Sequence, residues 1–113
     1  VAKMKEAFES AAQEMGGKAD VDVQVMYPGF KFGEGDLVVE LAKKAAAKIG
    51  RSSELLHSGG GSDANVIAGF GVPTVNLAVG YEEIHTTNER MPIEELNKLA
   101  EMVIALIEEV AAQ

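Results

Sequence analysis

The sequence predicts an α/β fold, and three observations support this prediction. From residue 36 onward, segments with helical apolar spacing alternate with short apolar segments, in the order helix, strand, helix, strand, helix. Glycine or proline stands at most boundaries between these segments. The chain has 113 residues and is 47% apolar, which is enough for the core of one domain or for parts of two.

Two elements are predicted before residue 36. Apolar side chains recur at helical spacing over residues 3–15, and Gly16-Gly17 is a typical helix end. From Asp20 to Tyr27, valine and tyrosine alternate with mostly polar residues, which predicts a half-buried strand. One helix and one strand leave a sheet edge and an apolar face uncovered, so this unit needs further partners.

A joint between two units is predicted next. Pro28-Gly29 and the glycine-rich stretch 33–35 interrupt regular structure. Asp36 is placed to cap the following helix, which is predicted to run to Ile49 and to end at Gly50.

The remainder supplies two strands and two helices. A short strand over 54–57 leads into a triple glycine, and Ser62 is the predicted N-cap of a short helix. A mostly apolar strand over 73–79, a polar loop over 80–91 and a final helix from Pro92 complete the chain. Two strands are too few for a stable sheet, so we expect its other strands to come from elsewhere.

Charge and composition exclude several classes of protein. The net charge of −8 argues against nucleic acid or an anionic membrane surface as a partner. No apolar run is long enough to span a membrane, and no secretory signal is visible. The absence of cysteine excludes disulfides and thiolate ligands and fits a cytoplasmic protein. Because Val1 falls inside a helical pattern, we expect a processed or truncated start.

The glycine loop, residues 58–65, is the first candidate site. Glycines allow a ligand to approach the main chain closely, and free N–H groups at a helix start favour an anion. A capped strand-to-helix turn would use the same residues, so both interpretations stay open. No G-x-G-x-x-G pattern or Walker lysine is present, which argues against a nucleotide. The candidate binding residues are Gly59, Gly60, Gly61, Ser62, Asp63 and Asn65.

The second candidate is His85, which lies among Glu82, Glu83 and Glu89. Imidazole with carboxylates suits zinc, manganese or cobalt, and Glu89 could fix the histidine tautomer. A surface histidine in an acidic loop is the alternative, because one histidine does not make a metal site and acidic neighbours favour its protonated form. His57, the other histidine, could be a ligand, a substrate contact or a packed strand-end residue, and we favour the last.

Three motifs in order resemble the C-terminal catalytic segment of peptidase T-like enzymes. These are dinuclear zinc exopeptidases of the aminoacylase and carboxypeptidase superfamily. The motifs are Gly60-Gly61-Ser62-Asp63-Ala64, Gly71-Val72-Pro73-Thr74 and the H-x-x-x-E pair His85 and Glu89. Tyr27-Pro28-Gly29-Phe30 resembles the end of the family's lid or dimerisation domain, so the resemblance covers nearly the whole chain. It implies that residues 1–30 end the lid domain and that residues 31–113 belong to the catalytic domain.

The resemblance also implies a cofactor and a set of roles. Two divalent metal ions are expected, zinc first, with manganese or cobalt possible. His85 would be a terminal ligand of one metal and Glu89 would support it. The glycine loop would bind a small peptide substrate, with the glycine main-chain groups near its carboxylate.

The family's other functional residues are absent. The first metal histidine with its H-x-D strand and the acidic pair that holds the general base have no counterpart here. We therefore expect no catalytic residue in this chain and no activity of the chain alone. The expected partners are the missing N-terminal part of the catalytic domain and further copies of the chain in a homo-oligomer.

Two alternatives to the peptidase interpretation remain. One is a free-standing module that holds an anionic metabolite, and the other is an interaction domain that pairs through the Asp20–Tyr27 strand.

Overall fold

The computed structural model describes all 113 residues and contains four helices. Each lies where a helix is predicted, and the bounds agree closely with the predicted ones. None of the four is both long enough and apolar enough to cross a membrane. The helices are α1 (Ala2–Glu14), α2 (Leu37–Lys48), α3 (Asp63–Gly69) and α4 (Ile93–Ala111).

The predicted helix starts are found, but with different cap chemistry. Asp36 and Ser62 are the N-caps of α2 and α3, and α4 begins directly after Pro92. The Asp36 carboxylate accepts the Gly33 N–H at 2.6 Å instead of a helical N–H. This bond closes the turn at the end of the glycine-rich joint, so Asp36 fixes where the joint stops and α2 begins.

The three predicted strands form no ladder within this chain. The 58 main-chain hydrogen bonds lie inside helices, in turns, or in an isolated antiparallel bridge between Glu82 and Arg90. None of these bonds involves residues 18–32, 52–61 or 72–81. A strand is stabilised by the N–H and C=O groups of a neighbour, and these segments exchange no main-chain hydrogen bond with one another. The sheet of the predicted α/β fold is therefore not formed within this chain.

The core consists of the contact between α2 and α4, the one pair of helices that packs together. Ala45 of α2 is fully buried, and Ala105 of α4 is 4% exposed. Such small side chains let two helices approach closely. Around them lie Val39, Leu41 and Ala46 of α2. Residues of α2 and α4 line one cavity together with the apolar segment 75–80.

Lys48 joins the C-terminal ends of the two packed helices. Its Nζ lies 2.9 Å from Glu109 Oε1 and 3.2 Å from Glu108 Oε2. The hydrogen bond to Glu109 is the main reason that the pKa of Lys48 is raised, and the same bond lowers the pKa of Glu109. The attraction is lost as the pH falls through the lowered pKa of Glu109 or rises through the raised pKa of Lys48. Lys48 and Glu108 are exposed and Glu109 is half-buried, so solvent screens these ion pairs and their contribution to stability is small.

Most of the predicted core faces are uncovered. Only 7 of 113 residues are buried. The radius of gyration is 20.2 Å, whereas a compact domain of this length would have about 13 Å. Helix α1 buries no residue. The exposed side chains on the predicted apolar faces of α1 and α4 include Met4, Phe8, Met15, Leu96, Val103 and Ile107.

Replacing Ala45 by leucine tests the α2–α4 contact. Ala45→Leu should lower the free energy of unfolding by about 1–3 kcal/mol, because a larger side chain does not fit between packed helices. Ala47→Leu is the matched control, since Ala47 is exposed on the same helix and should change stability by less than about 0.5 kcal/mol. Urea denaturation followed by far-UV circular dichroism measures both. Equal losses in the two variants would contradict the packing described.

Candidate functional site

The glycine loop presents main-chain groups that lack partners in the chain. The Gly60 N–H donates to Ser58 Oγ at 3.2 Å. The N–H groups of Gly59 and Gly61 have no acceptor within the chain. All three glycines are exposed, so the N–H groups of Gly59 and Gly61 remain able to donate a hydrogen bond to a bound ligand.

Asn65 behaves differently from the rest of the loop. It is 8% exposed, whereas Asp63 is exposed. The Asn65 side chain accepts the Ser62 N–H at 2.9 Å and donates to the Pro28 carbonyl oxygen at 3.0 Å. Both polar atoms of its amide are therefore engaged inside the chain. The sequence places Asn65 among substrate-binding candidates, and the structure gives it a role in supporting the loop.

Asn76 anchors the glycine loop to the apolar segment 73–79. Its Nδ2 donates to Ser62 Oγ at 3.0 Å. Val75, Leu77 and Val79 are half-buried while Asn76 and Ala78 are exposed, so the period-two pattern that predicts a strand is retained. Sequence reasoning did not single out Asn76. A polar residue inside an otherwise apolar segment is the signal that would have identified it.

The glycine loop forms one wall of a cleft of about 530 Å³. Tyr27 and residues 29–34 of the joint also line the cleft, together with Asn65, Val75 and Asn76. This volume is within the range of roughly 300–1,000 Å³ that is typical of small-molecule sites. His57 also lines the cleft and is exposed. His57 is thus not packed within this chain, and the packed strand-end position favoured from the sequence stays a prediction, because the predicted sheet does not form here.

The loop that carries His85 is closed at its base. Glu82 and Arg90 exchange main-chain hydrogen bonds of 2.9 and 3.1 Å. Between them, Glu83 and His85 adopt positive φ angles of 52° and 62°. This left-handed conformation costs of order 1 kcal/mol for a residue other than glycine. The Glu89 carboxylate accepts the His85 N–H at 2.7 Å, so Glu89 helps to hold the strained residue in place.

The acidic residues around His85 are engaged with other groups. The Arg90 guanidinium lies 2.7 Å from a Glu82 carboxylate oxygen and 2.6 Å from a Glu83 carboxylate oxygen. Glu89 is used on the main chain, as described. The His85 side chain is exposed and takes part in no hydrogen bond or ion pair. The loop thus presents one free imidazole. Arg90, which sequence reasoning missed, neutralises two of the three nearby carboxylates.

His85 alone can supply one metal ligand. No group of three or more His, Cys, Asp or Glu side chains in this chain is arranged to hold a metal ion. No hydrogen bond or ion pair joins His85 to the glycine loop. The segment 73–79 contacts the glycine loop through Asn76 and Ser62, and the loop that carries His85 follows this segment in the chain. The donor chemistry of an imidazole fits zinc, manganese or cobalt, but a complete site needs further ligands.

The two loops and the helix pattern are those of a known family. The model of Peptidase family M20/M25/M40 matches residues 3–109. The chain belongs to this peptidase family. In the M20 family it is similar to the solved structure of aminopeptidase PepT from Bacillus cereus, with 75% identity and a TM-score of 0.85 over 97% of this chain.

Two further proteins are similar over nearly the whole chain. A tripeptidase structure from Staphylococcus aureus has 52% identity and a TM-score of 0.88 over 97% of this chain. An uncharacterized Bacillus subtilis protein, YqjE, is 75% identical over 98% of this chain. The chain spans 30% of the length of each of these three proteins. The resemblance to peptidase T-like enzymes predicted from the motifs is confirmed.

Gly80 is the residue at which the loop that carries His85 begins. Its φ of +79° is left-handed, and a methyl group there would lie 2.7 Å from Glu95 Oε2 and 2.9 Å from Glu95 Cβ. Glu95 is itself held by an ion pair with Arg51. The loop therefore leaves the segment 73–79 in close contact with the first turn of α4, and only glycine fits.

Replacing Gly80 by alanine should displace the loop. Gly80→Ala combines left-handed strain with overlap against Glu95, so the expected loss in unfolding free energy is about 2–4 kcal/mol. Gly71→Ala is the control, because Gly71 has φ +85° with open space around it and should lose only about 1–2 kcal/mol. Chemical denaturation of both variants measures the difference. Equal losses would show that Glu95 does not confine the loop.

Proposed function

We propose that this chain works as the C-terminal part of a metal-dependent exopeptidase, peptidase T-like, that hydrolyses small peptides. The observation that carries the proposal is the free, exposed imidazole of His85 on a strained loop with a closed base. Strained residues of this kind persist where the surrounding structure holds them, and they cluster at functional sites. Family membership and the similarity to an aminopeptidase and a tripeptidase support the same reaction class.

In this proposal His85 is a terminal ligand of one of two divalent metal ions. Zinc suits an imidazole donor best, and manganese or cobalt is compatible with it. Glu89 fixes the position of His85 through its main-chain N–H, and Arg90 removes competing negative charge from Glu82 and Glu83. When bound, the metal ions polarise the scissile carbonyl and lower the pKa of the attacking water.

The cleft beside the glycine loop binds the peptide in this proposal. The free N–H groups of Gly59 and Gly61 donate to the substrate carboxylate, and Gly60 and Asn65 line the same cleft. Ser62 and Asp63 follow on the same loop and contact the substrate from its end. Asn65 also supports the loop through its bonds to Ser62 and Pro28. A bound carboxylate on main-chain donors satisfies groups that the chain leaves without partners.

The remaining parts of the site come from other polypeptide. The other metal ligands and the general base belong to the missing N-terminal part of the catalytic domain, which also supplies strands beside segments 52–61 and 72–81. Residues 1–30 form the end of a lid domain, and residues 31–113 belong to the catalytic domain. We place the enzyme in the cytoplasm and propose that the edge at residues 20–27 pairs with a second copy.

A free-standing module that binds an anionic metabolite is less well supported. Such a module needs a core of its own, and seven buried residues do not supply one. The apolar faces of α1 and α4 require a cover in either case. The peptidase proposal provides that cover, because the longer enzyme supplies the missing polypeptide.

The isolated chain tests whether hydrolysis requires polypeptide outside these residues. The purified 113-residue chain should hydrolyse no dipeptide or tripeptide, with or without added zinc, manganese or cobalt, because it holds a single metal ligand. The longer protein that contains it should hydrolyse them and should lose activity with a chelator. Release of free amino acids is measured in both. Chelator-resistant hydrolysis by the isolated chain would contradict the proposal.

Replacing His85 tests its role in the longer enzyme. His85→Ala should lower bound metal from two equivalents toward one and reduce kcat/KM by a factor of about 100 or more, as loss of a ligand in such sites does. Metal content is measured by mass spectrometry after dialysis. His57→Ala, at the other exposed histidine, is the control and should leave metal content unchanged. Unchanged metal content in His85→Ala would remove the basis of the assignment.

A further inference from the structure

One short segment of the joint lies directly on the glycine loop and α3. The Pro28 carbonyl oxygen accepts the Asn65 amide N–H at 3.0 Å. The Tyr27 ring packs so closely on Gly61 that a methyl group at Gly61 would overlap the phenol hydroxyl. At the far end of α3, a methyl group at Gly69 would lie 3.0 Å from Pro28 Cγ. Tyr27-Pro28 therefore touches three positions on α3 and the loop before it.

These contacts join the two proposed domains. Tyr27 and Pro28 fall within residues 1–30, whereas Gly61, Asn65 and Gly69 fall within residues 31–113. The donor is one of seven buried residues in the chain and the only buried polar one. Removing one partner of a buried hydrogen bond costs the desolvation of the group left behind. The bond is partly buried, because its donor residue is buried and Pro28 is exposed.

The same contacts lie at the cleft beside the glycine loop. Residues 29–34 of the joint and residues 58–61 of the glycine loop line this cleft, and Tyr27 and Asn65 line it as well. The geometry points to a positioning role: Asn65 and Gly61 latch the joint onto the glycine loop, so that the end of the first domain fixes the shape of the peptide-binding cleft. We call this set of contacts the latch. The inference rests on the proposed function for its substrate, but the contacts themselves do not.

The first test uses Asn65→Asp in the longer enzyme. Aspartate keeps the oxygen that accepts the Ser62 N–H and replaces the donor to Pro28 by a second oxygen, so it breaks the bond to Pro28. It also adds a negative charge to the cleft, and the digestion below is the readout that this charge does not affect through the substrate. KM for a tripeptide should rise about tenfold or more, in line with the loss of one buried hydrogen bond, while metal content stays constant. Asn97→Asp is the control, because Asn97 is exposed on α4.

Limited trypsin digestion gives a readout that does not depend on activity. Lys31 is exposed in the joint, three residues after Pro28, and Lys18 lies before the Asp20–Tyr27 segment. Cleavage after Lys31, relative to Lys18, should become about tenfold faster in Asn65→Asp and should not change in Asn97→Asp. If the enzyme hydrolyses no peptide at all, the proposed function fails while this digestion still tests the latch.

The second test uses the contact between Tyr27 and Gly61, in case Asn65→Asp does not fold. Gly61→Ala should raise KM and speed cleavage after Lys31, because the added methyl expels the Tyr27 ring. In a Tyr27→Ala background the same substitution should have no further effect, since the overlap is gone. An equal effect in both backgrounds would show that the methyl obstructs the substrate directly.

The outcomes separate the possibilities. A raised KM together with faster Lys31 cleavage supports the latch. A raised KM with unchanged cleavage would mean that Asn65 contacts the substrate itself, which overturns it. Faster cleavage with unchanged KM would show that the joint is held but does not shape the cleft, and no change in either would show that the contact is without consequence.

Discussion

The main-chain groups of residues 18–32, 52–61 and 72–81 bond to no other main-chain group of the chain. These segments carry the residues that form both candidate loops or lead into them, so their position decides where every functional side chain lies. Extended polypeptide can satisfy its N–H and C=O groups only through a neighbouring strand, side chains or water. The helices, by contrast, satisfy their own groups internally. The chain is therefore a set of helices joined by segments whose main-chain groups find no main-chain partner within the chain.

The helices follow from local sequence, which explains why they are predicted well. Apolar spacing, Asp36, Ser62, Pro92 and the glycines mark their ends, and these signals act within a few residues. The Ser62–Asp63 start and the polar loop after residue 79 are likewise visible in the sequence. Family membership is also carried by local motifs, since Gly60–Ala64 and the His85–Glu89 pair are each only five residues long.

What the sequence does not reveal are the contacts between distant positions. Asn65 is a polar residue in a polar loop, and its burial follows only from the approach of Pro28, which lies 37 positions away. The position of His57 depends on how the joint folds back to form the cleft. The acidic neighbours of His85 suggest a ligand set, yet Arg90 pairs two of them and Glu89 bonds to the main chain. Hydrophobic spacing carries no information about which partner a charged or amide side chain selects.

The exchange of hydrogen bonds between Glu82 and Arg90 has a consequence for the design of variants. These two hydrogen bonds hold the ends of the loop together, so the conformation of residues 84–88 is separated from that of the segments before and after the loop. Residues 84–88 could thus be exchanged for those of a related sequence, or extended by a residue or two, without displacing Gly80 or Pro92. Residues 84–88 can therefore be replaced as a unit. The orientation of the loop is set by Gly80 before it and by helix α4 after it.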